Sequence, residues 1–331
     1  MRIALDAMGT DGAPVTEVAG AVLALKDVES DFEVILVGDS ATLQEEVNRH
    51  SDFPTDRLSI VHAAQRVLPG EPPSTVLRRK PESSIAIGIR LHKEGEADAF
   101  ISAGSTGAVM AASLFILRRL EGVDRPAIGT VVPTANGPLL LLDAGANVDC
   151  KPHQLVQFAR LGKVYAQDLM GISSPRVGLL NIGEEPKKGD ELVVAAYQGL
   201  KESGLNFVGN IEGRGIIQGG CDVLVCDGFV GNVLLKFYES VASFVVSLLT
   251  TAIGDIHANE DLDEVFRLFD YTETGGAPLL GVNGIPIICH GGSPPKAICN
   301  AIGVADRAAK ASMVSHFVRE LTTPNTLGKP G

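Results

Sequence analysis

Short apolar runs recur along the chain, each ending in a small, polar or acidic residue and each followed by a helical pattern. They are Arg2–Leu5 before Asp6, Val34–Val37 before Gly38 and Asp39, Ala99–Ile101 before Ser102, Ala103 and Gly104, and Leu139–Leu142 before Asp143. The series continues with Val177–Leu180 before Asn181, Val223–Val225 before Cys226, Asp227 and Gly228, and Ile287–Ile288 before Cys289, His290 and Gly291. Apolar runs without alternation suit strands covered on both faces. Alternating with helices, they predict βαβ units and a mostly parallel, doubly wound α/β sheet. In such sheets ligands bind outside the carboxyl ends of the strands. Asp6, Gly104, Asp143, Asn181, Asp227 and His290 stand at those ends, and as a set they point to one crevice. Each also has a plainer reading, since Asp and Asn commonly cap the helix that follows.

Two helical patterns differ from the rest. Asn232–Thr251 is apolar on most of its circumference, with a narrow polar stripe at Lys236, Ser240, Ser243 and Ser247. Asp261–Phe269 carries Leu262, Val265, Phe266 and Phe269 on one face. Turning around Gly254–Asn259, the pair predicts a helical hairpin over 232–270. It could pair with a symmetry mate, pack inside the core, or face lipid. The apolar stretch Leu234–Ile253 carries Lys236 and Glu239, which argues against a transmembrane span. No linker divides the chain, so it reads as a single α/β domain over 1–321, with the 232–270 hairpin as its dimerisation and acyl-groove element and a frayed tail at 322–331.

The 331 residues carry a net charge of −12, which sets aside general nucleic-acid binding because that needs a positive field. Five cysteines without a CxxC pair argue for reduced thiols rather than a disulfide framework or structural zinc. The opening apolar run breaks at Asp6 and does not read as a signal peptide.

The candidate chemistry lies in the turns. In Ile101–Ala108, Gly104 and Gly107 bend the backbone before a helix expected over Ala108–Leu120, and Ser105 and Thr106 add hydroxyls. Exposed N–H groups at a helix start suit phosphate. The pattern is neither GxGxxG nor a Walker A sequence. In Gly183–Asp190, Lys187 and Lys188 could neutralise phosphate or an oxyanion; a solvated loop is the plainer reading. In Cys226–Lys236, Asp227 ends a strand, Asn232 starts a helix and Lys236 lies one turn on along the same face. His290, beside Gly291 and Gly292, could move a proton or donate to an anion, or be structural. The segment Asp6–Pro14 reads as a turn in which Asp6 and Asp11 hydrogen-bond. No metal motif is found.

Taken together, Met-Arg-Ile-Ala-Leu-Asp-Ala-Met-Gly-x-Asp, Ser-Ala-Gly-Ser-Thr-Gly-Ala, Leu-Leu-Asp-Ala-Gly-Ala-Asn-Val-Asp and Gly-Leu-Leu-Asn-Ile-Gly-Glu-Glu resemble the bacterial phosphate acyltransferase (PlsX) family. Lys-Lys-Gly, Asn-Ile-Glu-Gly-Arg, Asp-Gly-Phe-Val-Gly-Asn, Gly-Gly-Ala-Pro-Leu-Leu-Gly and the His-Gly turn follow in order, from Met1 to about Ala309. The resemblance implies an αβα sandwich with a mostly parallel Rossmann-like sheet, akin to isocitrate/isopropylmalate dehydrogenase and phosphotransacetylase folds, and a projecting helical hairpin.

The implied activity is transfer of a fatty acyl group from acyl carrier protein to inorganic phosphate. The acyl phosphate then serves the first acylation of glycerol 3-phosphate in phospholipid synthesis. The candidate catalytic residues for that activity are Lys188, Asn232, His290 and Asp227, with phosphate on Gly104, Ser105, Thr106 and Gly107. Asp6, Asp143, Asn147, Asn181 and Lys236 complete the site, with no metal and no cofactor. The implied partners are acyl carrier protein, phosphate, a long-chain acyl group, a second copy of the chain and a downstream glycerol-3-phosphate acyltransferase. The implied location is cytoplasmic, with peripheral contact at the inner membrane face.

Arg78-Arg79-Lys80 is the first candidate for a basic patch facing the acidic carrier, and Arg118-Arg119 the second. A dehydrogenase of related fold, or a phosphate- or lipid-binding regulator without turnover, remains the alternative. The chain departs from the family pattern at Thr10 and Gly12, where a glycine and a histidine are usual, and at Gly292, before Ser293. Asp255–Glu273 carries seven acidic residues and one arginine, a surface that anionic lipid repels.

Overall fold

A computed structural model describes residues 1–26, 31–68, 70–253 and 275–322. The hairpin's expected second arm, Asp261–Phe269, and the tail beyond 322 lie outside the described residues, as does Pro69. The strands are β1 (Arg2–Asp6), β2 (Glu33–Gly38), β3 (Leu58–His62), β4 (Ala99–Ser102), β5 (Ala127–Thr134), β6 (Gly137–Leu142), β7 (Val177–Leu180), β8 (Phe207–Ile211), β9 (Val223–Val225), β10 (Ala277–Leu280) and β11 (Pro286–Ile288). The helices used below are α1 (Val15–Leu25), α2 (Ser40–Val47), α3 (Pro73–Arg79), α4 (Ser84–Lys93), α5 (Thr106–Ile116), α6 (Pro152–Leu169), α7 (Glu191–Lys201), α8 (Gly213–Ile217), α9 (Gly228–Ile253), α10 (Pro295–Lys310) and α11 (Met313–Thr322).

The described residues form two compact units. In the first, residues 1–121 and 275–316, the strand order is β3-β2-β1-β4-β11-β10, and only β10 runs antiparallel to its neighbour. β1 and β4, central in that row, are buried almost throughout, which is why they read as continuous apolar runs. Gly20 lets α1 meet α10, since a Cβ there would lie 2.6 Å from Cβ of Ile298.

In the second unit the order is β5-β6-β9-β7-β8. β5 and β6 form an antiparallel hairpin, and the other neighbours are parallel. The chain is thus an α/β protein whose sheet is mostly parallel and flanked by helices, as its sequence rhythm predicts.

All seven predicted strands are present. The helix after Gly104 runs over Thr106–Ile116 rather than Ala108–Leu120. Its first turn begins at the glycine turn itself, and it ends where Arg118 takes a positive φ of 67°. The long apolar helix starts one turn before Asn232, because Asp227 accepts from the N–H groups of Phe229 and Val230 at 2.9 and 3.0 Å and so caps it.

Candidate active site in the strand-end turns

In the first unit the strand ends of β1, β4 and β11 adjoin. Asp6 is buried and accepts a 2.6 Å hydrogen bond from the hydroxyl of Ser102, and Ser84 also donates to it. Ser102 Oγ in turn accepts from the N–H of Gly104 at 3.0 Å. Burial pushes the Asp6 carboxyl above the usual range, while these donors and the charge of Arg66 pull the other way. Asp6 therefore shapes the Gly104 turn from beneath.

Gly9 is what lets the Asp6–Gly12 segment lie against that turn, since a Cβ there would sit 2.7 Å from the nitrogen of Gly104. Ser105 occupies the N-cap position of α5, yet its side chain makes no capping hydrogen bond. The first-turn N–H groups of α5 therefore have no intrahelical or cap partner, and the Ser105 hydroxyl is not spent on them. That arrangement can hold an anion. Pro73 stands over the turn: a Cβ on Gly107 would be 2.6 Å from its ring.

His290 is exposed and follows β11, whose Ile288 is in register with Ser102. Its Nδ1 accepts from the N–H of Gly292 at 3.1 Å, so the neutral ring carries its proton on Nε2. The extra residue Gly292 makes that bond. Ser293 behind it is buried.

Two residues of this unit, Arg66 and Glu17, were missed by sequence reasoning. Arg66 donates from Nη2 to the carbonyl of Thr10 at 2.8 Å, and its Nε is buried without a partner among the described residues. Lys80, the last residue of the candidate carrier-facing patch, donates to the Arg66 carbonyl and to Glu71 at 2.7 and 2.5 Å. Glu17 is fully buried on α1 and accepts from the N–H and hydroxyl of Thr10 at 2.6 and 2.9 Å. Desolvation pushes its pKa up to about 7. The signal for this pairing was present: an acidic residue inside an apolar helix needs a donor.

In the second unit the ends of β6, β9 and β7 adjoin in that order. Asp143 is fully buried and saturated. Its Oδ1 accepts from the N–H groups of Ile128, Gly145 and Ala146 at 3.0, 3.2 and 3.0 Å. Its Oδ2 accepts from the backbone and side chain of Asn147 at 2.7 and 2.8 Å. The Asn147 amide also donates to Pro126. Asp143 and Asn147 thus build a loop, and α9 sits on it: a Cβ on Gly228 would meet Asp143 Oδ2 at 2.7 Å, and one on Gly231 would collide with the Asp143 carbonyl.

Asn232 lies beside Gly145 with its amide exposed and unpartnered among the described residues. Lys236, one turn on, pairs with Glu239 at 2.8 Å instead. After β7, Asn181 donates to the carbonyl of Lys188 at 2.9 Å and accepts from the N–H of Ile182 at 2.7 Å. Asn210 adds a second tether to the carbonyl of Glu185. These bonds fold the 183–189 loop and leave the Lys188 ammonium exposed without an ionic partner among the described residues. Cys226 is buried, and desolvation together with nearby Asp227 and Asp143 holds its thiol well above the ordinary range, which makes it a poor nucleophile.

A family profile described as fatty acid synthesis protein matches residues 1–316. Phosphate acyltransferase of Desulforamulus reducens is 50% identical over 321 residues, covering 95% of either chain. That of Heliobacterium modesticaldum is 48% identical, covering 95% of this chain and 96% of the relative. Among solved structures, a phosphotransacetylase from Streptococcus pyogenes superposes with a TM-score of 0.63 and EutD phosphotransacetylase from Staphylococcus aureus with 0.61, each at 17% identity and 94% coverage of both chains, which shows a shared fold. With a profile spanning nearly its whole length and half its residues in common with a named relative, the chain belongs to the phosphate acyltransferase family, whose chemistry is acyl transfer with phosphate.

Proposed function

We propose that this chain transfers a long-chain fatty acyl group from acyl carrier protein to inorganic phosphate. The observation that carries the phosphate part is the α5 start: unpaired N–H groups, glycines at 104 and 107, and hydroxyls of Ser105 and Thr106 that no cap consumes. The acyl part rests on family membership.

In the proposed reaction a phosphate oxygen attacks the thioester carbonyl. A C–O bond forms, the C–S bond breaks, and the carrier thiolate leaves and takes up a proton. The thiol pKa is about 8.5, so the leaving group needs no strong acid. Phosphate is already anionic at neutral pH and needs no strong base. The chain's task is to orient the reactants and hold the tetrahedral oxyanion; orientation alone is worth roughly 7–11 kcal/mol. The exposed Lys188 ammonium, the Asn232 amide and His290 Nε2–H are donors without competing partners among the described residues and take that role. Asp6, Asp143, Asn147, Asn181 and Asp227 act through the loops they hold.

A second copy of the chain is the proposed cover for an exposed stripe on α9, formed by Phe229, Val233, Phe237, Phe244 and Leu248. By length and composition Gly228–Thr251 would also suffice to span a bilayer, but its first turn is seated on Asp143 and it carries Lys236 and Glu239. The proposed location is therefore cytoplasmic, with peripheral membrane contact, and the product passes to a glycerol-3-phosphate acyltransferase.

The test is an end-point assay with palmitoyl-carrier protein, with and without phosphate. Acyl phosphate is trapped as hydroxamate and free carrier thiol is followed. Phosphate-dependent hydroxamate supports the proposal. Thiol release without hydroxamate, or neither product, rejects it.

A further inference from the structure

Within the second unit α9 does not lie flat on the sheet. Between them is a cavity of about 460 Å³. Its floor is Leu139 and Leu141 of β6 with Leu224 of β9, and its roof is Leu234, Leu235 and Ala242 of α9. Ile216 and Ile217 of α8 close one side. Among the described residues a hydroxyl reaches the lining only from Tyr238, and it is spent on the carbonyl of Pro133 at 3.1 Å. Nothing in these walls rewards a polar ligand, and a polar group moved here would lose its hydrogen bonds to water.

Position makes the cavity more than a packing defect. β6 enters it at Leu139 and Leu141 and leaves at Asp143, whose loop carries Gly145. α9 reaches it from Asn232, which lies against Gly145, and roofs it from Leu234 onward. The roofing residues Leu234 to Ala242 span about 12 Å of helix. The apolar lining on α9 thus begins at Leu234, two residues on from the exposed Asn232.

The helix separates this face from its other apolar face. At about 100° per residue, Leu234, Leu235, Tyr238, Val241 and Ala242 form one stripe. Phe229, Val233, Phe237, Phe244 and Leu248 form another, centred about 120° away. Two stripes explain why α9 reads as apolar nearly all round. The outer one suits a second copy of the chain; the inner one faces an unfilled space.

We propose that this cavity is the acyl-chain subsite, holding the hydrocarbon tail of the substrate under α9 while its carbonyl carbon emerges beside Asn232. The inference rests on the acyl-transfer reading and adds the place and the ligand class. An aliphatic chain is the occupant that fits: the family acts on acyl groups, the walls are apolar, and the α9 lining begins two residues from Asn232, whose amide has no partner among the described residues.

Ile217 is half exposed at the side of the cavity, so Ile217→Trp fills space without touching the buried core. Ala242→Phe fills it from the roof, with folding verified by circular dichroism. Each variant and the parent protein are assayed for hydroxamate with palmitoyl- and butyryl-carrier protein. In parallel, binding of cis-parinaric acid is followed by its fluorescence, which needs no turnover. Both variants should lose about tenfold or more in kcat/KM on palmitoyl and about twofold or less on butyryl, and both should weaken parinarate binding. Equal losses on the two donors, unchanged palmitoyl turnover, or undiminished parinarate binding would overturn the subsite. So would parallel losses with a changed sedimentation coefficient, which would make the cavity a self-association surface. If the parent protein makes no hydroxamate yet binds parinarate and the variants do not, the acyl-transfer reading fails and the apolar subsite stands.

Discussion

Ser102 and Asp6 are joined by a 2.6 Å hydrogen bond across 96 residues of sequence, and the same Ser102 oxygen accepts from the N–H of Gly104. One buried hydroxyl therefore links the floor of the turn to its first glycine. Ser102→Ala would strip a donor from a buried carboxyl and leave the Gly104 N–H unpaired, at a cost of about 1–3 kcal/mol. Thermal unfolding should report the loss. If the turn holds phosphate, the phosphate KM should rise more than kcat falls, and Ser102→Thr should restore both. An unchanged KM would detach the turn from phosphate.

Glu17 gives the protein a stability that depends on pH with a definite sign. Its folded pKa of about 7 lies above the ordinary value of 4.5, so the folded state holds this proton more tightly than the unfolded one. Its protonation stabilises the fold fully below the unfolded value, and that contribution is lost as pH rises from about 4.5 through about 7. A gap of this size corresponds to about 3 kcal/mol. Glu17→Gln keeps an acceptor for the Thr10 N–H and a donor for its hydroxyl without the charge. The variant should match the parent near pH 5 and melt higher near pH 8. Parallel melting curves across that range would show that Glu17 is ionised in the fold at little cost.

What could be read in the sequence was the set of buried, continuous strands and the polar residues at their ends, because burial on both faces leaves an unbroken apolar run. β3, β5, β8 and β10 were not read. β3 is an edge strand without a fully buried position, β5 contains Pro133, β8 contains Gly209 at a positive φ, and β10 follows two glycines of positive φ. The glycine turn at 104–107 and the loop at 183–189 were placed correctly because glycine and lysine mark them locally. Which carboxylates and amides are free could not be read. Asp143 and Asn181 look like site residues in sequence, and only the folded donors around them show that they are consumed by their own loops. Arg66 and Glu17 escaped notice for the converse reason: their partners, Thr10 and its carbonyl, lie in a distant turn or on an unmarked backbone group.

Gly231 illustrates a constraint that neither periodicity nor propensity reveals. A side chain there would strike the carbonyl oxygen of Asp143, so the first turn of α9 can be seated only with glycine at this position. Gly231→Ala, which helix propensity alone would favour, should destabilise instead, by the 1–3 kcal/mol typical of overpacking. It should also move Asn232 away from Gly145 and lower kcat. Urea unfolding and turnover measured together test this; a variant as stable as the parent would mean that α9 shifts freely on the loop.

The division between holding residues and acting residues predicts two kinds of loss. Lys188 and Asn232 have side chains without partners among the described residues, so Lys188→Ala and Asn232→Ala should leave the melting temperature unchanged. If they stabilise the oxyanion or the phosphate, each should lower kcat by about a hundredfold or more, the scale set by removing a single oxyanion donor. Asn181→Ala differs. It removes the bonds to Lys188 and Ile182 that fold the loop, so it should lower stability and let the Lys188 ammonium wander. Its kcat should fall less than in Lys188→Ala, and its KM for phosphate should rise. Asn181→Ala combined with Lys188→Ala should be no slower than Lys188→Ala alone, because the asparagine acts only by placing the lysine. Additive losses in that double variant would give Asn181 a direct role with substrate.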